Sequence, residues 1–290
     1  MITVIGSINM DLAVVMDVFP KQGETVLGQA FSTIPGGKGA NQAIACAKLG
    51  SAVQFIGSVG KDRFGEQLTA NLQDYQIDIA GINKVDVPTG IANILIHNHD
   101  NRIIVIPGAN AELTTQQIDA HWPSIEQSKL VIMQLEIPKD IVSYVIEKCS
   151  NTNIQVLLNP APARHFSLDW MEKLSYVTPN ESECQQIFEK PYEQVVALYP
   201  NKVIVTLGEK GACYHDGQQL VVIEGYKAKI ADTTGAGDTF NGALAHALVN
   251  KESLADAVYF ANIAGSLSVE QFGAQGGMPT LAQIQHRMKR

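Results

Sequence analysis

Short apolar segments alternate with helical segments through the middle of the chain, and this alternation limits the folds that the chain can adopt. The pattern predicts strands at 130–135, 154–158 and 176–177, and helices at 115–121 and 139–149. Parallel strands joined by helices form a sheet with helices packed on both faces. The sequence therefore predicts an α/β fold built on a three-layer, doubly wound, mostly parallel sheet.

Two β-like tracts, at about 12–35 and 89–106, fall outside this alternation. Both are hairpin-like in composition, which predicts a small β-sheet that stands off the main domain. The chain has no internal repeat and no low-complexity segment. We therefore expect a single α/β domain over residues 1–290, with the strands of the two tracts inserted into it.

Composition argues against several classes of partner. A chain of 290 residues with 46% hydrophobic residues can bury a sizeable core. Its formal net charge is −8 and its basic residues are scattered, so we expect neither nucleic acid nor an anionic membrane as a partner. The sequence has no apolar run of bilayer length and no signal-like beginning, and from this we expect a cytoplasmic protein.

Common local signatures for metals and nucleotides are missing from the sequence. The four cysteines are widely spaced, with no C-x-x-C pair, and we expect them to be reduced structural thiols. Neither of the two Gly-Lys pairs continues into a P-loop, and the Gly-rich stretch near residue 235 does not extend into a dinucleotide fingerprint. Any nucleotide must therefore bind without a P-loop.

A Gly-rich turn at 235–237 leads into apolar residues at helical spacing, including Phe240 and Leu244. The first turn of such a helix leaves backbone N–H groups unpaired, and glycine lets an anion approach them. Asp238 lies inside this anion cradle, where a carboxylate is out of place unless it has a chemical task. We interpret Asp238 as a catalytic base. The alternative is an ordinary turn followed by a first-turn acidic residue.

A second Gly-rich turn, at 36–39, opens a predicted helix at 40–49. Glycine at position 37 lets the backbone approach a ligand, and the side chains of Lys38 and Asn41 follow within one helical turn. We interpret this turn as a second part of the ligand site. The alternative is a tight turn with a solvated lysine.

Polar side chains follow two predicted strands at the sheet edge where α/β proteins bind ligands. Asn9 and Asp11 follow the strand at 2–6, and their spacing puts an amide and a carboxylate on one face of an extended segment. Such a pair suits the vicinal hydroxyls of a sugar. Glu136 follows the strand at 130–135 and can accept hydrogen bonds from further hydroxyls. The alternatives are ordinary Asx turns and a helix-capping role for the glutamate.

The two Gly-rich motifs resemble the two signatures of the ribokinase-like (PfkB) family of sugar kinases. The segment 232–244 resembles the C-terminal signature, and the segment 36–43 (GGKGANQA) resembles the second one. The resemblance covers essentially the whole chain. Further shared stretches lie at 6–11, 107–111, 133–136, 158–163 and 273–275. It implies in-line transfer of the γ-phosphoryl group of MgATP to the 5-hydroxyl of D-ribose.

The resemblance also implies roles for individual residues. Asp238 would be the catalytic base, with an anion hole formed by Gly235, Ala236 and Gly237. The residues that would hold the sugar are Asn9, Asp11, Gly37, Lys38, Asn41, Glu136 and Asp238. The residues that would bind the nucleotide are Asn180, Thr206, Gly208, Gly211, Gly237 and Asn262.

The resemblance to the family also implies bound metal ions and a second subunit. The positions that match an activating potassium site are Asp232, Thr234, Ser268, Gln271, Gly273 and Gly277. Glu181 would contact Mg²⁺ through a water molecule, beside Asn180. The two β tracts would form a lid over the sugar, and this lid would supply the contact of a homodimer.

Two other functions remain open at this point. One is a related kinase that acts on 2-deoxyribose, a nucleoside or a hexose. The small polar set of predicted sugar ligands favours a free pentose over a nucleoside, whose base would need an apolar or aromatic wall. The other is a catalytically silent, sugar-binding regulator. The intact segment 235–238 argues against it, because a sensor does not need the acid.

Overall fold

The computed structural model describes residues 1–98 and 100–289. Its strands, numbered along the chain, are β1 (Ile2–Ile5), β2 (Asn9–Met16), β3 (Gly28–Gly36), β4 (Val53–Gly60), β5 (Asp78–Val85), β6 (Gly90–His97), β7 (Asp100–Ile106), β8 (Leu130–Met133), β9 (Gln155–Leu158), β10 (Tyr176–Val177), β11 (Val205–Thr206), β12 (Ala212–His215) and β13 (Leu220–Ile223). Its α-helices are α1 (Lys38–Lys48), α2 (Arg63–Asp74), α3 (Thr115–Ile125), α4 (Lys139–Ser150), α5 (Glu181–Phe188), α6 (Tyr192–Leu198), α7 (Ala236–Val249), α8 (Leu254–Ser268) and α9 (Leu281–Met288). Among these residues we find no helix with the length and hydropathy needed to cross a bilayer.

The central sheet has six parallel strands in the order β10-β9-β8-β1-β4-β5. Parallel bridges from Val177 to Val203 and from Asn180 to Thr206 connect its β10 edge to a three-stranded antiparallel sheet of β11, β12 and β13. The carboxyl ends of the parallel strands therefore lie along one edge, and the loops that follow them meet there.

Apolar side chains cover both faces of the central sheet. Successive residues of a strand point to opposite faces, so Ile2 and Val4 of β1 join one buried cluster and Ile5 joins the other. Helices α1, α2, α7 and α8 contribute to the first cluster, and α3 to α6 contribute to the second. Strands β1 and β8 are buried along their whole length, as expected when helices cover both sides. The predicted three-layer α/β fold is confirmed.

A separate four-stranded sheet has the order β3-β2-β6-β7. Strands β2 and β6 are parallel, and the two outer pairs are antiparallel. Its strands lie in the two β-like tracts, but β2 begins at Asn9, three residues before the predicted start. Because Asn9 and Asp11 are polar, the beginning of β2 lacks the apolar alternation that predicts a strand. Both side chains therefore project from the base of this small sheet.

Helices α1 and α7 pack closely because a glycine stands at their contact. A Cβ atom added at Gly242 would lie 2.5 Å from the Cβ of Ala45 and 2.9 Å from the carbonyl oxygen of Gln42. These distances are shorter than atoms in a packed interior allow. The glycine thus fixes how near the two helices approach, and with them the Gly-rich turns at their N-termini.

We expect Gly242→Ala to lower the free energy of unfolding by about 1–3 kcal/mol, because the added methyl group pushes α1 away from α7. Urea-induced unfolding of the ligand-free protein measures this change. The matched control is Gly265→Ala in α8, where an added Cβ would lie 3.6 Å or more from its neighbours. An equal loss of stability in both variants would contradict the close-packing argument.

Candidate active site

Two helices point their N-termini at the carboxyl edge of the central sheet. Gly37 precedes α1 and Gly235 precedes α7, with φ angles of 90° and 77°, in the left-handed region that favours glycine. No side chain in the described residues caps either helix at these glycines. The first turn of α7 therefore presents backbone N–H groups to an anionic ligand, whereas the N–H groups of Lys38 and Gly39 in α1 donate to side chains of the protein.

Asp238 lies in the first turn of α7, and its side chain is almost completely buried, with 7% exposure. Asn41 Nδ2 donates to its Oδ2 at 2.9 Å, and Gln42 Nε2 donates to its Oδ1 at 3.0 Å. The structure thus brings together the predicted residues Asp238 and Asn41, which are far apart in the chain. Gln42 was missed by the sequence analysis, although it lies inside the same motif as Asn41.

Glu136 lies beside the start of α1. Its Oε2 accepts a hydrogen bond from Ser7 Oγ at 2.6 Å and one from the backbone N–H of Lys38 at 3.2 Å. The predicted sugar ligands from the end of β8 and from the first turn of α1 are therefore adjacent. Ser7 was not predicted, and it also accepts a hydrogen bond from the N–H of Gly39.

The orientation of the Asn9 side chain is fixed by a buried neighbour, Asn110. The N–H of Ile8 donates to Asn110 Oδ1 at 2.9 Å, so the Nδ2 of Asn110 faces Asn9 and donates to its Oδ1 at 2.7 Å. The amide nitrogen of Asn9 is left as a donor, two residues along β2 from the carboxylate of Asp11. A donor and an acceptor side by side suit a pair of neighbouring hydroxyl groups. Asn110 was not among the predicted site residues.

Four carboxylates act electrostatically on the ammonium group of Lys38. Burial alone would lower the pKa of Lys38, but Asp238, Glu136, Glu183 and Asp11 together hold it above its ordinary value. The lysine therefore stays charged, as a cation in a site of predominantly negative charge.

The pKa of Asp11 is raised by burial and by the neighbouring carboxylates. Burial raises the pKa of Asp11 to about 7 from its ordinary 3.8, with the negative charges of Glu136 and Asp238 adding to the effect and Lys38 opposing it. A buried acid next to other acids is costly to ionise, so Asp11 changes its charge near neutral pH.

The two acids at the start of α5 differ in position. Glu183 accepts a hydrogen bond from the N–H of Asn180, and its electrostatic neighbours include Lys38 and Asp238. Burial raises the pKa of Glu183. Glu181, which was predicted for the Mg²⁺ site, is exposed. Its negative charge contributes to raising the pKa values of Tyr192 and Cys213. The structure thus directs Glu183 toward the site, whereas sequence reasoning selected its neighbour.

A cavity of about 990 Å³ lies on the other side of the α7 turn. The predicted nucleotide residues that line it are Thr206, Gly208, Gly211, Gly237 and Asn262. Ala236 of the predicted anion hole lines it too. The Nδ2 of Asn262 donates to the carbonyl oxygen of Ile223 at 2.9 Å, which holds α8 against the end of β13. Asn180 caps α5 through its Oδ1 and lies in the bridge to Thr206, at the margin of this cavity.

The six residues of the predicted potassium site belong to two segments, 232–234 and 268–277, that are held together. Asp232 Oδ1 accepts from the backbone N–H and the Oγ1 of Thr234, and its Oδ2 accepts from the N–H of Gly273 at 2.9 Å. A Cβ atom at Gly277 would lie 2.2 Å from the carbonyl oxygen of Ser268 and 3.4 Å from that of Gln271. The loops therefore gather backbone oxygens, the ligands that a large monovalent cation requires. No cluster of three or more metal-binding side chains of the His, Cys, Asp or Glu type occurs within residues 1–98 and 100–289.

Comparison with known proteins gives consistent matches along the chain. Residues 1–281 match the profile of the pfkB family carbohydrate kinases. The sequence is 45% identical to a ribokinase of Lactococcus lactis subsp. lactis, over 99% of this chain and 97% of that protein. It is 36% identical to a deoxyribokinase of Salmonella typhimurium, over 98% of this chain and 97% of that protein.

Solved structures give the same result for the fold. A ribokinase of Thermotoga maritima has a TM-score of 0.91 at 35% identity, covering 100% of this chain and 99% of that one. The structure of an Arabidopsis thaliana ribokinase complexed with ribose and ATP has a TM-score of 0.88 at 29% identity, covering 100% and 98%. The whole architecture is therefore shared, including the small sheet.

Because the pKa of Asp11 is raised in the folded protein, the free energy of unfolding depends on pH. Because this pKa is about 7 in the folded protein and 3.8 ordinarily, the folded state holds a proton that the unfolded chain loses between these values. The contribution of Asp11 to the free energy of unfolding therefore falls as the pH rises from about 4 to 7. We expect Asp11→Asn to raise the melting temperature more at pH 8 than at pH 5, as measured by calorimetry without sugar.

The control for this experiment is Asp86→Asn, which changes an exposed carboxylate paired with Lys61. Its effect on the melting temperature should be nearly the same at both pH values. A larger effect of Asp11→Asn at pH 5 than at pH 8 would contradict the assignment.

Proposed function

The chain belongs to the pfkB family of carbohydrate kinases, and we propose that it transfers the γ-phosphoryl group of ATP to the 5-hydroxyl of D-ribose, giving ribose 5-phosphate and ADP. One observation carries the proposal. Ala236 and Gly237 line a cavity of about 990 Å³ that is large enough for a nucleotide, and the next residue, Asp238, accepts a hydrogen bond from Asn41. Asp238 therefore lies between this cavity and the polar side chains that were predicted to hold the sugar.

The chemistry follows from this position. The 5-hydroxyl oxygen attacks the γ-phosphorus, the bond from that phosphorus to the bridging oxygen breaks, and ADP leaves. Asp238 accepts a hydrogen bond from the hydroxyl, orients it, and takes its proton as the new bond forms. The open N–H groups at the start of α7 stabilise the negative charge of the phosphoryl group in transfer. Because the transition state is loose, positioning and charge stabilisation contribute more than the strength of the base.

The sugar is assigned by the polar groups of the pocket. Asn9 offers an amide N–H and Asp11 a carboxylate, which suit the neighbouring 2- and 3-hydroxyls of ribose. Glu136 and Lys38 are near enough to Asp238 to contact the remaining part of a pentose. A sugar without the 2-hydroxyl leaves a buried polar group unpaired, which weakens binding. 2-Deoxyribose remains the second candidate, because a deoxyribokinase is among the relatives.

The residues present also fit the ions that such a reaction uses. Mg²⁺ keeps most of its water ligands and needs only one or two carboxylates besides the phosphates, and it shields the phosphate charge. Glu183, directed toward Lys38 and Asp238, suits this role better than the exposed Glu181. A potassium ion would be held by backbone oxygens of the loops that contain Asp232 and Gly277.

We further propose that the four-stranded sheet is a lid inserted into one domain and that two lids pair in a homodimer. Ile103 to Ile106 of β7 are all exposed, as is Phe31 of β3. An edge strand with apolar side chains on both faces invites association with another sheet. A cytoplasmic location and the absence of a nucleic-acid partner stay predictions from composition.

The lid contact is tested by Ile104→Glu. Ile104 is 56% exposed, and we expect a charge there to convert the dimer to a monomer in sedimentation velocity experiments. Leu168→Glu is the matched control, because Leu168 is 54% exposed but lies outside the lid. A monomeric parent protein, or a dimer that persists in Ile104→Glu, would count against the lid interface.

The reaction is tested by ADP release with MgATP and ribose, 2-deoxyribose, fructose or adenosine, in potassium or in sodium buffer. We expect the highest kcat/KM with ribose and stimulation by potassium. Asp238→Asn should lose more than about 1000-fold in kcat, beyond the usual effect of one lost anion-hole donor, and should still bind ribose.

Three results would each remove a part of the proposal. If another sugar is phosphorylated faster, that sugar takes the place of ribose as the proposed substrate. If no sugar stimulates ADP release, the catalytically silent, sugar-binding regulator is favoured. Normal turnover by Asp238→Asn would refute its assignment as the base.

A further inference from the structure

Two chains of buried amide side chains end on the carboxylate of Asp238. On one side, Asn71 Nδ2 donates to Gln275 Oε1 at 2.9 Å, Gln275 Nε2 donates to Asn41 Oδ1 at 3.0 Å, and Asn41 donates to Asp238 Oδ2. On the other side, Gln42 Nε2 donates to Asp238 Oδ1. Each carboxylate oxygen therefore receives one amide N–H.

The second chain begins at the backbone of the central sheet. Asn159 Nδ2 donates to the carbonyl oxygen of Thr178 at 3.2 Å, and a carbonyl can only accept, so Asn159 Oδ1 must face Gln42. Gln42 Nε2 donates to this oxygen at 3.1 Å, and Gln42 Oε1 accepts from Gln134 Nε2 at 2.7 Å. The amide of Gln42 thus has only one possible orientation, with its N–H groups toward Asn159 and Asp238.

Gln134 and Asn159, which contact Gln42, and Thr178, which contacts Asn159, follow consecutive strands of the sheet. Gln134 directly follows β8, Asn159 directly follows β9, and Thr178 directly follows β10. Gln42 therefore connects the carboxylate on α7 to the carboxyl ends of three parallel strands. Thr178 also contacts α7 itself, since its Oγ1 donates to Asn241 Oδ1.

We propose that Gln42 is a positioning residue that holds the carboxylate of Asp238 in a single orientation for the phosphoryl transfer. This inference rests on the proposed function and extends it to a fully buried side chain that has no place in the predicted site. Both N–H groups and the oxygen of Gln42 are used within the protein. With a donor on each oxygen, the carboxylate presents its remaining lone pairs to the sugar hydroxyl in a fixed direction, and no reorganisation is needed when the substrate binds.

The first test is Gln42→Met, which keeps the length of the side chain and removes the donor. We expect kcat to fall about 100-fold, as for a small misplacement of a reacting group, while the ribose Kd from calorimetry changes less than about 3-fold. The matched control is Gln54→Met. Gln54 is also buried, and it donates to Thr3 at the other end of the sheet strands, away from Asp238. Both variants should lose thermal stability, but only the first should lose kcat.

The second test is Gln42→Glu. The pH dependence of its kcat distinguishes a positioning role from a packing role. A protonated carboxyl group can donate to Asp238 as the amide did, whereas an ionised one repels it. The kcat of this variant relative to the parent should therefore rise at least 10-fold as the pH falls from 8 to 6. A role in packing alone would leave this ratio independent of pH.

The outcomes distinguish this proposal from the proposed function. If the parent protein turns over a sugar and Gln42→Met keeps its kcat, or if the Gln42→Glu ratio does not change with pH, the positioning role is refuted and the kinase activity stands. If the parent protein prefers another sugar, both variants are measured with that sugar and the same ratios apply. If the parent protein turns over no sugar, the proposed function and the role of Gln42 are both refuted.

Discussion

The close contact of α1 with α7 is the constraint on which the rest of the site depends. Gly242 allows α7 to lie against the backbone of α1 at Gln42, and the same turn of α1 carries the amides that reach Asp238. The packing contact and the polar contacts are therefore parts of one interface. It places the open N-terminus of α7 beside the start of α1 at the carboxyl edge of the sheet, where α/β proteins bind their ligands.

The fold and the positions of several candidate site residues could be predicted from the sequence because their signals are local. Asn9 and Glu136 each follow a short apolar strand within a few residues, and the loops at such strand ends are where α/β proteins bind ligands. Gln42 gives no local signal, since a glutamine inside a helix usually faces solvent, and its partner Asp238 lies 196 residues away.

The choice between the two acids at the start of α5 also depends on structure that is not local in the sequence. Glu181 and Glu183 both occupy the first turn of a helix of eight residues, and either could face the ligand. Which one does depends on the direction in which the helix leaves the sheet. That direction is set by the capping box of Asn180 and Glu183 and by packing, and neither is encoded in the spacing of the acids alone. Asn110 was missed because its contacts to Ile8 and Asn9 join two distant segments.

The small sheet and the sugar pocket are built from the same residues, which limits how the proposed lid can move. Asn110 bonds to both backbone groups of Ile8, to Asn9 and to the carbonyl oxygen of Pro107, so it ties the bases of β2 and β7 to the end of β1. A Cβ atom at Gly90, the first residue of β6, would lie 2.3 Å from the same amide. A base so tightly packed cannot hinge without breaking several buried hydrogen bonds. Closure of the proposed lid would therefore require its strands to bend beyond this base, which would leave the predicted sugar ligands in place while the distal strands move.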